Sequence, residues 1–276
     1  MALVPPGEII RPAAAAGRGV GAFNVIQLEL AEAIVAGGEQ AGRPVLLQIS
    51  QNCVKYHGAL APIAQACLAL ARAAAVPVAV HLDHAESAEL IWQALDLGLD
   101  SIMYDGSKLD DQANRAATAA IAAQCHARGA WLEAELGEIG GKDGVHAPGA
   151  RTDPAQAAQF VADTGVDSLA VAVGSSHAMK QRTAQLDFEL IAALHAAVPV
   201  PLVLHGSSGV PDADLARGIG AGLTKINIAT LLSQTFTAAV RTGLAAAPEL
   251  VDTRRYFAPA RQAVASAVAG LLRVIA

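Results

Sequence analysis

The sequence predicts an α/β fold, a (β/α)8 TIM barrel with an additional C-terminal helix. Short apolar runs alternate eight times with Ala- and Leu-rich segments that have helical spacing. Such alternation requires right-handed crossovers and a parallel sheet, and eight units is the number at which the sheet closes. The chain of 276 residues, 53% of them hydrophobic, also matches the roughly 250 residues of a one-domain barrel.

Each predicted strand is a β-branched or apolar run, and each predicted helix is the amphipathic segment after it. The strands are residues 21–25, 44–50, 76–83, 101–105, 131–137, 168–174, 201–206 and 225–230. The helices are residues 28–41, 60–74, 88–97, 111–128, 154–164, 188–197, 212–221 and 231–246, followed by a final helix at 259–274. Asp153 before Pro154, and Pro211 before Asp212, are typical helix starts. No linker divides residues 1–276, so a single domain is expected.

Composition excludes several classes of partner. The net charge of −6 leaves no basic surface for a nucleic-acid backbone, so a small anionic substrate has to be held by a local site. The three cysteines, Cys53, Cys67 and Cys125, form no C-x-x-C pair, which indicates a reducing cytoplasm. The chain opens without the pattern of a leader and has no apolar run of the roughly 20 residues that span a bilayer, so no membrane partner is expected.

Polar side chains cluster at the predicted carboxyl ends of the strands. In such barrels the loops after these ends build the active site, whereas the opposite rim serves stability. The residues at these ends, including the neighbours that complete the two last runs, are Asn24, Ser50, Asp83, His84, Asp105, Glu135, His177, His205, Gly206, Ser207, Ser208, Asn227, Ile228, Ala229 and Thr230. A functional site is therefore predicted at this rim.

Three histidines among these residues are hard to explain as packing. A single histidine is usually an ordinary polar or core residue, but His84, His177 and His205 belong to strands three, six and seven and converge on one rim. Catalytic zinc sites use about three protein ligands with one position open, and neutral imidazole is a favoured ligand. The sequence thus predicts one Zn²⁺ per chain. His81, inside strand three, is expected to pack or to support a ligand.

Three carboxylates accompany the histidines. Asp83 could transfer protons beside a metal-bound substrate, or it could orient a histidine. Asp105 and Glu135 could hold a second, structural or monovalent cation or steady the histidine ligands, and the sequence leaves both roles open.

Two runs rich in glycine, hydroxyl and amide groups follow strands seven and eight, the usual phosphate pocket of this barrel. By itself H-G-S-S-G is only a turn signal, but beside three histidines phosphate binding is the better interpretation.

At these residues the sequence resembles the class II, metal-dependent ketose-bisphosphate aldolases, which include fructose- and tagatose-bisphosphate aldolases. The likeness runs from G-A-F-N-V near position 21 to D-T-R-R-Y-F-A-P-A-R near the end. Its most specific motifs are H-L-D-H-A-E at 81–86, E-A-E-L-G-E-I-G-G at 133–141, V-D-S-L-A-V-A-V-G-S-S-H ending at His177, P-L-V-L-H-G-S-S-G around His205 and K-I-N-I-A-T ending at Thr230.

The resemblance implies that Asp83 is the catalytic acid/base and that the three histidines bind zinc. It also implies that residues 206–208 and 227–230 hold dihydroxyacetone phosphate, with Asn24 and Ser50 near the substrate. Arg261 corresponds to an arginine that reaches the distal phosphate in a neighbouring subunit, so a homodimer or homotetramer is expected. The implied substrate is fructose 1,6-bisphosphate, with tagatose 1,6-bisphosphate or another phosphorylated ketose as the alternative.

Three positions depart from the family pattern. Ala178 follows His177 where many relatives have glycine, although its N–H can still bind phosphate if its torsion angles allow. The loop after strand five is one residue shorter than in some relatives and leaves Asp143 as the candidate for a second proton-transfer group. Ala229 stands where many fructose-type members carry aspartate, which weakens any choice between ketose epimers.

Rival functions differ in the residues they need. A zinc hydrolase on this barrel would usually start with an H-x-H pair on strand one, which is missing here. A non-catalytic sugar-phosphate-binding protein would not need Asp83 together with three histidines. A Schiff-base aldolase needs an activated lysine in a dry strand interior, whereas Lys225 is expected at the start of strand eight, on the opposite rim.

Overall fold

A computed structural model describes residues 2–136 and 151–276. Eight parallel strands close into a barrel in the order of the sequence, each hydrogen-bonded to its neighbours, so the predicted fold class is confirmed. The strands are β1 Val20–Asn24, β2 Val45–Ser50, β3 Val78–Ala85, β4 Ser101–Tyr104, β5 Trp131–Glu135, β6 Ser168–Ala170, β7 Leu202–Leu204 and β8 Leu223–Ile228.

Helices surround this barrel. They are α1 Gly7–Ala15, α2 Leu28–Ala41, α3 Gln51–His57, α4 Ala61–Ala73, α5 Ala88–Asp96, α6 Asp111–Ala127, α7 Pro154–Thr164, α8 Phe188–Ala197, α9 Asp212–Ala221, α10 Thr230–Ala246 and α11 Thr253–Val274. The Asp153 carboxylate accepts a hydrogen bond from the Gln156 N–H and caps α7, as the sequence predicted. The apolar strand faces and helix stripes form one large buried core between the two layers.

Several boundaries differ from the prediction. Helix α1 was not expected; its buried residues Ile9 and Ile10 pack in a small apolar cluster with Trp131. The helix α3 follows β2 directly because the Ser50 hydroxyl accepts from the Cys53 N–H and caps it. Helix α11 starts at Thr253 and continues through Pro259, the residue at which the sequence predicts its start.

The strands also shift relative to the prediction. β6 and β7 are only three residues long, so His177 lies in the loop after β6 rather than on the strand. β8 begins at Leu223, which places Lys225 inside the barrel wall. No helix within residues 2–136 and 151–276 is both long and apolar enough to cross a bilayer.

Candidate active site

The carboxyl ends of the strands surround one cavity, as the barrel rule predicts. Its lining residues are Asn24, Ser50, Asn52, Asp83, His84, His177, Ala178, Gly206, Ser208, Asn227, Ala229 and Thr230. Most of the residues predicted for the site are therefore brought together by the fold. Asn52, in the first turn of α3, was missed, although its position two residues after Ser50 could have indicated it.

The three predicted histidines lie together, although only two of them line the cavity: His84 and His177 do, whereas His205 is 0% exposed and is not a lining residue. Their ring centroids lie 4.8 Å apart for His84 and His205, 5.4 Å for His84 and His177, and 5.6 Å for His177 and His205. One nitrogen from each ring lies within 4.8 Å of the others, which is compatible with a shared metal ion. Burial, followed by the charges of neighbouring groups such as His84, holds the pKa of His205 well below its usual range, so this ring is neutral and able to coordinate.

Hydrogen bonds indicate which ring nitrogens are available to bind a metal ion. His84 Nδ1 lies 2.7 Å from the Asp105 Oδ2 atom, which leaves Nε2 available for an ion. His205 Nε2 lies 3.3 Å from Glu133 Oε1. Its Nδ1 is buried and has no hydrogen-bond partner in the described part of the chain. A buried imidazole nitrogen that makes no hydrogen bond and belongs to a ring beside two other imidazoles fits a metal ligand.

Asp105 and Glu135 lie behind the histidines and do not line the cavity. Glu135 Oε2 is 3.5 Å from His205 Nδ1, and ligand atoms of His84, Asp105 and Glu135 also lie within 4.8 Å of one another. The geometry therefore accommodates both roles left open by the sequence, orientation of the histidines and binding of a cation.

A β-bulge brings Asp83 and His84 to the same cavity. Neighbouring residues of a regular strand point to opposite faces. Here Leu82 pairs with Ile102 and Ala85 with Tyr104, so Asp83 and His84 together face a single residue of β4. His84 has a left-handed φ of 53°, which costs a non-glycine residue about 1–3 kcal/mol.

A chain of amides holds Asp83. Gln48, fully buried in β2, donates from Nε2 to Asn24 Oδ1 at 3.1 Å, and Asn24 Nδ2 donates to Asp83 Oδ2 at 3.3 Å. Burial by itself raises the pKa of Asp83, but electrostatic interactions with His84, His205 and Lys225, together with the Asn24 hydrogen bond, outweigh it and leave the pKa below its usual value. The sequence analysis missed Gln48. An amide in an apolar strand, two residues before Ser50 and so on the same face of β2, could have indicated it.

The two predicted phosphate runs contact each other. The Ser208 hydroxyl accepts hydrogen bonds from the N–H groups of Ala229 and Leu231 at 3.3 and 3.1 Å, so it caps the start of α10. Gly206 has a φ of 68°, and a Cβ there would lie 2.5 Å from the Ser176 backbone, so only glycine fits. The N-terminus of α10 thus opens into the cavity, as an anion site requires.

Other predicted residues are placed differently. Ser207 donates its hydroxyl to the Leu204 carbonyl, and neither Ser207 nor Ile228 lines the cavity. Ala178 adopts a left-handed φ of 56°, a backbone conformation that glycine would favour. Its torsion angle therefore allows the N–H group to bind phosphate, as the sequence analysis required. Arg261 lies on α11, where its Nε is 3.1 Å from Glu32, and it does not line the cavity of its own chain. Asp143 lies outside the described residues.

One placement corrects an expectation for a residue outside the predicted site. Lys225 is not at the rim but fully buried inside the barrel, paired with Glu133. His81 is fully buried with its Nδ1 atom 2.7 Å from the Ser101 hydroxyl, as expected for a packing residue.

Comparison with known proteins agrees with this geometry. The family model described as fructose-bisphosphate aldolase class-II matches residues 4–276. A fructose-bisphosphate aldolase from Thermus caldophilus is 38% identical over 96% of this chain and 95% of its own length. One from Geobacillus stearothermophilus is 36% identical over 99% of this chain and 96% of its own length.

A solved structure is similar to this protein in both sequence and fold. The crystal structure of the YdjI aldolase from Escherichia coli K12 superposes with a TM-score of 0.87 at 32% identity, covering 99% of this chain and 97% of that one. Since these matches extend over nearly the whole chain, the protein is a lyase and belongs to the class II fructose-bisphosphate aldolase family.

Proposed function

We propose that this aldolase is zinc-dependent and reversibly cleaves fructose 1,6-bisphosphate to dihydroxyacetone phosphate and glyceraldehyde 3-phosphate. The carrying observation is a cavity lined by Asp83, His84 and His177 that also receives the start of α10. A nitrogen of the buried His205 ring lies within 4.8 Å of nitrogens of the two other imidazoles. The names of the relatives favour fructose 1,6-bisphosphate. Tagatose 1,6-bisphosphate or another phosphorylated ketose is the alternative, because Ala229 leaves the epimer open.

Zn²⁺ would be held by His84 through Nε2, by His205 through Nδ1, and by His177. When bound, the ion supplies Lewis acidity that polarises the ketone and stabilises negative charge on oxygen. The residues of this chain prepare that site. Asp105 fixes the His84 ring, and a neutral, buried His205 keeps a lone pair available without first losing a proton.

Asp83 is the proposed base for cleavage. It is ionised because its pKa is lowered, and it lies beside the histidines at the cavity wall. In this role it takes the proton of the C4 hydroxyl as the C3–C4 bond breaks, and it returns that proton in the synthesis direction. Asn24 donates to Oδ2, so Oδ1 is the oxygen left to accept the proton.

Ser208, Gly206 and the residues at the start of α10 are proposed to hold the phosphate of the dihydroxyacetone phosphate portion. The helix N-terminus supplies N–H donors and favourable partial charge. Asn24, Ser50, Ala178 and Asn227 complete the wall around the rest of that portion. We assign Asp105 to the orientation of His84 and retain Glu135 as the candidate for a second cation.

The assembly is proposed to be a cytoplasmic homodimer or homotetramer in which Arg261 serves the distal phosphate of a neighbouring subunit. The three cysteines are free and buried, which supports a reducing compartment. Arg261 is 46% exposed on its side chain and lies away from its own cavity, as a residue with this role would.

Substrate profiling tests the proposal. Metal-replete protein is assayed for cleavage of fructose 1,6-bisphosphate, tagatose 1,6-bisphosphate and ketose 1-phosphates, and its zinc content is measured. The highest kcat/KM for fructose 1,6-bisphosphate with about one zinc per chain supports the proposal. A higher value for another ketose would replace the substrate, and binding without cleavage of any ketose would favour the non-catalytic alternative.

Arg261→Ala tests the distal phosphate within the same assay. The expected result is a KM for the bisphosphate raised about tenfold or more, with a ketose 1-phosphate unaffected, because only the bisphosphate carries the second anion. Arg273→Ala, an exposed site near the other end of α11, is the matched control. Equal effects on both substrates would remove Arg261 from phosphate recognition.

A further inference from the structure

Lys225 is a buried cation that the proposed chemistry does not use. It is the third residue of β8 and is 0% exposed. Its Nζ lies 2.9 Å from Oε2 and 3.2 Å from Oε1 of Glu133, which is also 0% exposed. Glu133 belongs to β5, and β5 and β8 are not neighbours in the closed sheet. The ion pair therefore crosses the interior of the barrel.

The Glu133 carboxylate is held on both oxygens. Besides Lys225, its Oε2 accepts from the Ser168 hydroxyl at 3.4 Å, and Ser168 in turn accepts from Trp131 Nε1 at 3.0 Å. Oε1 contacts His205 Nε2 at 3.3 Å. An isolated carboxylate in such an interior would be costly, so the ammonium group of Lys225 is what allows the charge to stay there.

The contact with Glu133 decides the tautomer of His205. An ionised carboxylate can only accept, so His205 Nε2 carries the hydrogen and the lone pair belongs to Nδ1. Nδ1 is buried and makes no hydrogen bond in the part of the chain described, with Glu135 Oε2 3.5 Å away compared with 3.3 Å for the Glu133 contact to Nε2. The tautomer that Glu133 selects is the one that a metal ligand needs.

We propose that Lys225 is a positioning residue for the metal centre: it fixes the Glu133 carboxylate, which fixes the ring orientation and tautomer of His205. This inference rests on the zinc-dependent function proposed above. Lys225 does not touch the substrate cavity and is engaged by both carboxylate oxygens, so it acts through Glu133 and His205 rather than as a reacting amine.

Lys225→Met tests this role, because methionine has a similar length and no charge. The expected result is a zinc affinity about 10- to 100-fold weaker than in the parent, the usual consequence of losing an outer hydrogen-bond partner. The visible absorption spectrum of the Co²⁺-substituted variant should change with the geometry of His205. The ¹⁵N shifts of His205 in zinc-free protein should change from the Nε2–H form to a mixture of tautomers. Lys55→Met, an exposed site on α3, is the control and should match the parent.

A folded Lys225→Met protein with parental zinc affinity, cobalt spectrum and tautomer would overturn the proposal. If that variant fails to fold, the double variant Lys225→Met/Glu133→Gln decides, since it leaves no unpaired buried charge. Its glutamine is no longer oriented by a lysine, so zinc should bind about tenfold or more weakly than in the parent. Parental affinity in the double variant would mean that Lys225 only neutralises Glu133, and the proposal would fail.

These measurements need no substrate, so the two proposals can fail separately. Loss of zinc affinity in a protein that cleaves no ketose would leave the positioning role intact and remove the proposed activity. Cleavage of fructose 1,6-bisphosphate with unchanged zinc affinity in the variant would do the reverse.

Discussion

His84 Nδ1 and Asp105 Oδ2 lie 2.7 Å apart at the ends of the neighbouring strands β3 and β4. Asp105 is buried, and its Oδ1 accepts from the Ser107 hydroxyl and N–H, so the carboxylate cannot turn away. The His84 ring is thereby held with Nε2 available to a metal. A comparable contact from Glu133 serves His205, so carboxylates would support the proposed metal centre on two sides.

Asp83→Asn separates cleavage from metal binding. We expect the variant to fold, keep zinc and lose carbon–carbon cleavage by roughly 10²-fold or more, the scale of positioned acid–base catalysis. Proton exchange at C3 of dihydroxyacetone phosphate is a separate step, so it should continue near the parental rate. A coupled cleavage assay and NMR exchange into deuterium oxide measure the two. Equal loss of both with zinc retained would assign Asp83 to enolisation or to site architecture, and unchanged cleavage would remove it from the mechanism.

His205→Ala should lower the zinc content, because it removes one of three proposed ligands. Metal analysis after dialysis against a weak chelator is the measurement, and chelation of the parent should abolish activity. His195→Ala is the matched control, since His195 is exposed on α8, away from the cavity. Full zinc occupancy in folded His205→Ala protein would refute the ligand assignment.

Ser208→Ala should weaken phosphate binding without affecting zinc. The hydroxyl links the loop after β7 to the start of α10, and hydrogen bonds to charged groups are worth about 1.5–3 kcal/mol. Inorganic phosphate should compete with the substrate in the parent, and its inhibition constant should rise about tenfold or more in the variant. Ser233→Ala, one turn further along α10, is the control. A ligand complex with phosphate away from both loops would contradict this assignment.

His81 should make stability depend on pH. Burial, followed by the charge of Lys225, holds the pKa of His81 well below 6.5, so the folded protein keeps this ring neutral while the unfolded chain takes up a proton. The contribution of His81 to the free energy of unfolding is fully present above pH 6.5. It falls by about 1.4 kcal/mol for each pH unit below that value.

Urea unfolding of zinc-free protein between pH 7 and 5 measures this dependence. His81→Asn should unfold with a smaller pH slope than the parent, even though the substitution lowers stability overall. Identical slopes for the two proteins would show that the buried ring does not stay neutral.

Much of the site could be predicted from the sequence. The eightfold alternation predicts the barrel, and the barrel rule places His84, His205 and Ser208 on one rim. Local signals such as Asp153 before Pro154 also fix helix starts, because capping depends on residues only a few positions apart.

Other features depend on contacts that the sequence does not order. Regular strand alternation would send Asp83 and His84 to opposite faces, and only the bulge against β4 turns both into the cavity. Lys225 and Glu133 are 92 residues apart in the sequence. Their pairing depends on closure of the barrel and on the register of β5 and β8, which bring the two side chains together across its interior. Sequence by itself determined the fold class and the chemical groups at the rim, because these follow from local periodicity and residue type. The tertiary structure decided which of those groups face the cavity and which nitrogen each ring presents, because both depend on packing between distant strands.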